Sequence, residues 1–176
     1  MPYPTVTQVL SPWIDFSHVH PDVLEIAADR GTAVHRYCAA IAQDLWLPEP
    51  PEEIAGYIQS FRQWFKLVKK VVLVETELVD DINGYIGHPD LIVEIQGMDG
   101  LCLIDLKTSE NLSPVWRLQL AAYWNLCWLY EIKVKHVGVL RLNSGGKVPK
   151  MDWFKEVKAD LAVFFSALNV WKFLHG

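Results

Sequence analysis

Residues 84–107 read GYIGHPDLIVEIQGMDGLCLIDLK, and the reading of this stretch decides the fold. Two apolar runs are joined by QGMDG at 96–100, where the glycines tolerate the positive φ that a tight connection needs. Folding the chain back there brings Asp90 on the first strand beside Asp105 and Lys107 on the second. Strand side chains alternate, so Asp105 and Lys107, two apart, share a face. Leu101, Cys102, Leu103 and Ile104 are uniformly apolar, the pattern of a strand buried on both faces. Two acids and one lysine at the end of such a strand are costly to desolvate unless they are paired or hold a cation.

Working outward toward the N-terminus, residues 71–79 (VVLVETELV) predict one strand, and DDING at 80–84 turns it into the hairpin. Glu75 and Glu77 then share a face and cannot be separated by parity. A helix is expected over 51–70, with Ile54, Ile58, Phe61, Phe65 and Val68 as its core stripe. Another is expected over 21–45, started by Pro21 and Asp22, with Gly31 as a breaking point. His35 lies in it, with Ala39 and Ala42 further along the same side. Residues 1–20 form an irregular lead-in, with Pro2, Pro4 and Pro12 opposing helix and a short helix at 5–10 capped by Thr5 or Thr7.

Toward the C-terminus, a loop at 108–114 places Ser113 as a cap for a helix over 114–130. Gln119 and Tyr123 are four apart and project from one side of it. A strand at 134–142, a turn at 143–146, a strand at 150–154 and a final amphipathic helix at 155–174 follow. This order predicts one α/β domain over 1–176, a central mixed sheet flanked by helices.

Composition narrows the functional classes. With 176 residues, 51% hydrophobic and 12% aromatic, the chain can build a real core. A net charge of −5 argues against coating nucleic acid by bulk attraction, though not against gripping a short length of backbone locally. No apolar run approaches the about 20 residues of a membrane span, and no basic segment leads into an apolar one as in a signal peptide. Cys38, Cys102 and Cys127 stand singly without a CxxC pair, which points to reduced, buried thiols and a cytoplasmic setting.

For Asp90, Asp105 and Lys107, two readings compete. One is a buried structural ion pair. The other is metal-assisted hydrolysis of a phosphodiester, the carboxylates holding Mg²⁺ or Mn²⁺ and Lys107 orienting or deprotonating a water or countering developing charge. One lysine does not balance two buried carboxylates, so a cation completes the set. Glu75 is a further ligand or water-positioning acid. Tyr123 is able to stack on a base, and Trp116 or Arg117 to contact nucleotides; Trp124 and Trp128 are expected in the core.

The series Arg30-Gly31-Thr32-Ala33-Val34-His35, then Glu75, then Gly87-His88-Pro89-Asp90, then Asp105-Leu106-Lys107, then Gln119 to Tyr123 resembles the PD-(D/E)XK nuclease superfamily, and within it the RecB-like exonuclease branch. The resemblance implies a restriction-endonuclease-like core and a Mg²⁺- or Mn²⁺-dependent deoxyribonuclease, acting as an exonuclease on DNA ends or single strands. It also implies roles: His35, Asp90, Asp105 and the Leu106 carbonyl as metal ligands, Lys107 as the catalytic lysine, Gln119 and Tyr123 as the trailing motif, and Glu75 as the acid before the hairpin. DNA is the implied partner, with a helicase, single-strand-binding or recombination partner or a ring-shaped oligomer as sources of processivity, in a bacterial or phage setting. The chain departs from the family at His88, where relatives carry a small or apolar residue. It also lacks the four cysteines of the iron–sulfur CRISPR adaptation nucleases. A non-catalytic DNA-binding or interaction subunit on the same fold is the alternative; such relatives lose the lysine or an acid.

Overall fold

The computed structural model describes residues 3–14, 17 and 19–176; Met1, Pro2, Asp15, Phe16 and His18, with the expected role of Pro2, lie outside the described residues. At its centre is the expected hairpin. β4 (Leu91–Ile95) pairs antiparallel with β5 (Leu101–Lys107), Leu91 opposite Ile104 and Ile92 opposite Leu103. Gly97 and Gly100 take φ of 77° and 86° in the turn between them. β5 pairs on its other side with β6 (Val134–Arg141), in parallel. A parallel neighbour requires a crossover, and α4 (Val115–Leu129) supplies it. β1 (Val68–Val74) and β7 (Lys150–Phe154) close the edges, giving the mixed order β1-β4-β5-β6-β7.

Each sheet face buries its own helix layer, which is why residues 91–93 of β4 and 101–104 of β5 are apolar on both faces. Ile92, Leu103, Val137 and Val139 pack under α1 (Val6–Leu10), α4 and α5 (Val157–His175). Leu91, Val93, Cys102, Ile104 and Leu106 face the opposite way, under α2 (Pro21–Ala42) and α3 (Glu52–Phe65). All three cysteines are buried free thiols. The short α1 is held by Thr5, which accepts from the Gln8 backbone N–H at 3.2 Å while its own N–H donates to the Gln8 side chain at 2.8 Å. No helix among the described residues is long and apolar enough to cross a membrane.

Four expectations are corrected. α2 runs unbroken through Gly31, because helical φ is open to glycine and the flanking turns carry the hydrogen bonding. α3 ends at Phe65 instead of Lys70: Val68, Lys69 and Lys70 already belong to β1, an edge strand whose apolar residues mimic a helical stripe. The single strand expected at 71–79 is two. β1 stops at Val74, Glu75 turns with φ of 44°, and β2 (Leu78–Asp80) pairs with β3 (Tyr85–Gly87) in a separate two-stranded sheet. Trp128 is 65% exposed on the outer side of α4, whereas Trp124 packs against the core as expected.

Candidate active site

Extending the β4–β5 register by one step past Leu91 and Ile104 sets Asp90 opposite Asp105, on the face shared by Ile92 and Leu103. This is the arrangement the hairpin reading requires. Asp90 is 6% exposed and Asp105 1%. Asp90 Oδ2 accepts from the Leu106 backbone N–H at 2.6 Å, and its carbonyl accepts from the Glu75 N–H at 3.1 Å. That second bond extends the β1–β4 ladder by one rung, to Glu75, where φ turns positive at 44°. A non-glycine residue at positive φ carries strain of about 1 kcal/mol or more, and here it swings the carboxylate of Glu75 toward His35.

α2 lays His35 across the strand ends. Its Nε2–H donates to the Leu106 carbonyl at 2.9 Å, which assigns the proton to Nε2 because a carbonyl only accepts. Nδ1 is left facing Asp90 Oδ1 at 3.3 Å and Glu75 Oε1 at 3.7 Å. A bare nitrogen lone pair between two carboxylates is repulsive, so this point calls for a proton or a cation. Burial alone would lower the His35 pKa, but the Asp90 charge, with hydrogen bonds to Asp90 and Glu75, holds it well above its usual value. For Asp90, burial is outweighed by the charge and hydrogen bond of His35, then Lys107 and the Leu106 N–H, and its pKa is lowered. Ligand atoms from His35, Glu75 and Asp90 lie within 4.8 Å of one another.

Asp105 stands just outside that trio. Lys107 Nζ is 2.7 Å from its Oδ2, yet neither carboxylate oxygen receives a hydrogen bond of normal geometry. Burial, with the Asp90 charge adding, pushes its pKa up to about 6 in spite of Lys107. Lys107 Nζ also donates to Gln119 Oε1 at 3.1 Å, and Gln119 Nε2 donates to the Tyr123 hydroxyl at 3.1 Å. The Trp116 ring centroid lies 5.8 Å from the same ammonium. α4 comes close enough to make these contacts because β3 meets it at Gly87, where a Cβ would fall 2.5 Å from Leu126 and 2.8 Å from Tyr123.

These groups share a cleft of about 1000 Å³ between α2 on one side and α1 and α4 on the other. It collects His35, Glu75, Asp90, Asp105, Lys107, Trp116, Gln119 and Tyr123. Three residues are placed elsewhere. Arg117 is clamped by Asp160 of α5 at 2.9 and 3.1 Å and does not line the cleft. Glu77 points to His88, 3.3 Å away on an exposed surface, so the kink separates the two glutamates that parity had joined. The Leu106 carbonyl accepts from His35. Thr7, expected only as a candidate helix cap, and Arg36, not singled out from the sequence, also line the cleft; the position of Arg36 directly after His35 on a helix was the available signal.

No protein-family model matches this sequence, and no curated protein is significantly similar to it.

Proposed function

We propose that the chain is a Mg²⁺- or Mn²⁺-dependent deoxyribonuclease with the restriction-endonuclease-like core of the PD-(D/E)XK superfamily, of the RecB-like branch, acting as an exonuclease on DNA ends or single strands. The observation that carries this reading is the buried Asp105 carboxylate. Its only partner among the described residues is the Lys107 ammonium, 2.7 Å from Oδ2 and outside normal hydrogen-bond geometry, and it faces Asp90 across the hairpin, beside an imidazole Nδ1 lodged between two further carboxylate oxygens. Oxygen-rich sets with one imidazole suit hard divalent cations, so the residues fit the group. His35, Glu75, Asp90 and Asp105 would hold it, with the Leu106 carbonyl adjacent.

A divalent cation supplies charge neutralisation at a phosphate and a more acidic water. The chain does the rest. Asp105 and Gln119 hold the Lys107 ammonium at the cleft, where it orients the attacking water and counters charge growing on the phosphate oxygens. Gln119 is itself held by Tyr123, whose phenol burial pushes to a pKa well above the usual value, so it stays a neutral anchor. Trp116 covers Lys107 and offers a flat ring to a base. A helicase, a single-strand-binding protein or further copies of the chain would supply processivity, in a bacterial or phage-infected cytoplasm.

Purified protein with Mn²⁺ should degrade linear DNA, and Asp105→Ala or Lys107→Ala should abolish this. DNA left intact by the folded wild type across metals and substrates contradicts the reading. Absence of specific Mn²⁺ binding by calorimetry would favour a binding-only subunit.

A further inference from the structure

One face of α2 lines the cleft from Ala28 to Gln43 at helical spacing, about 22 Å of helix. Apart from His35, it presents mostly small side chains, and two of its residues have no role in the fold. Arg36 is exposed on the cleft side and makes no ion pair or hydrogen bond among the described residues, while Lys107, the other cationic side chain there, is already engaged by Asp105 and Gln119. Gly31 sits mid-helix without positive φ, and a Cβ built on it would meet nothing within 4 Å. Glycine weakens a helix interior relative to alanine, and no neighbour in the fold requires it. What it leaves is open space one turn before His35. The 1% exposed Asp105, lacking a hydrogen bond to either oxygen, faces the same cleft.

We propose that this face of α2 is the track for a polynucleotide backbone, with Arg36 gripping a phosphate next to the scissile one and Gly31 keeping the path clear. The assignment rests on the nuclease reading for its ligand. Arginine suits the task because its planar fork of donors matches two phosphate oxygens, and a phosphodiester offers only acceptors. The contact is to the backbone, so it carries no sequence preference. Three acids in the cleft repel that backbone until a cation neutralises them, which makes an unpaired arginine beside His35 more valuable there.

The test is fluorescence anisotropy with an end-labelled single-stranded oligonucleotide, in CaCl₂, across a NaCl series. Arg36→Ala should weaken binding about tenfold and flatten the logarithmic salt slope by about 0.7, one phosphate contact on a single strand. Arg62→Ala, the same charge change on α3 in a separate surface hollow, should change neither. Gly31→Ala should raise the melting temperature by about 2–4 °C, while Gly31→Leu, which fills the space, should cost at least tenfold in DNA affinity. Wild-type binding with unchanged Arg36→Ala affinity and slope overturns the Arg36 assignment alone, as does an equal loss in Arg62→Ala. Gly31→Leu binding like wild type removes the strand from this face. A wild type that binds no DNA overturns the assignment together with the nuclease reading.

Discussion

Asp80 and Asp105 are each 1% exposed, and the fold treats them in opposite ways. Asp80 ends β2 and is satisfied by hydrogen bonds: Oδ1 accepts from the Ile82 and Asn83 backbone N–H groups at 3.0 and 2.8 Å. Its Oδ2 accepts from the Asn83 and Asn125 amides at 2.7 and 3.1 Å. Asn125 in turn donates to the Tyr85 hydroxyl at 2.9 Å, tying the small sheet to α4. Among the described residues, Asp105 receives no backbone or amide N–H and has only the Lys107 ammonium, 2.7 Å from Oδ2 and outside normal hydrogen-bond geometry. Burial with so few donors costs stability. The first carboxylate is a strut. On the proposed reading, the second would be completed by a cation.

The largest effect should come from removing the strut. Asp80→Ala strands the donors of Asn83 and Asn125 and should cost about 3 kcal/mol by chemical denaturation. Asp105→Asn, equally buried, should leave metal-free stability within about 1 kcal/mol of wild type or above it, while losing DNA hydrolysis. A large loss from Asp105→Asn would erase the contrast.

Metal sharpens the contrast next. Mn²⁺ at a hundred times its dissociation constant should stabilise the wild type by about 2.7 kcal/mol. Asp80→Ala, if still folded, should keep that increment; Asp105→Asn and Asp90→Asn should lose most of it. An equal increment in all variants would place the metal elsewhere.

The smallest effect is the dependence on pH. Asp105 is pushed up to about 6 by burial, above its unfolded value, so between roughly pH 4 and 6 the folded state holds the extra proton and metal-free stability falls as pH rises. That shift corresponds to at most about 3 kcal/mol for Asp105 alone, and sharing of the proton with the neighbouring Asp90, His35 and Lys107 brings the observed change below it. His35, raised by Asp90 against burial, adds stability below its unfolded value that is lost as pH climbs through its folded one. Asp90, lowered by His35 against burial, works oppositely, and its contribution disappears only on strong acidification. On the proposed reading, Mn²⁺ would replace the protons on Asp105 and His35, so the stabilisation by metal should grow from pH 5 to 8. A flat profile would mean these groups do not titrate together.

The hairpin was legible because its signals are local: glycine at two turn positions, an all-apolar run for a strand buried on both faces, and a period of two linking Asp105 to Lys107. The mixed sheet flanked by helices followed from the order of elements. What escaped depended on contacts distant in sequence. The kink at Glu75 falls where β1 leaves the ladder beside Asp90, and nothing in VVLVETELV marks a non-glycine residue for positive φ. Without that kink, Glu75 and Glu77 look equivalent. Arg117 is claimed by Asp160, 43 residues away. Trp128 was read from residue type, whereas its place on the helix turns it outward.

The central claim is that the hairpin gathers a cation site with Lys107 beside it. A crystal grown with Mn²⁺ and examined for anomalous scattering tests it most directly. The account predicts one or two peaks in the cleft between His35, Asp90 and Asp105, within ligand distance of Asp105, and their loss in Asp105→Asn. A wild-type cleft with no peak at saturating Mn²⁺, or a peak that persists unchanged in Asp105→Asn, would contradict it.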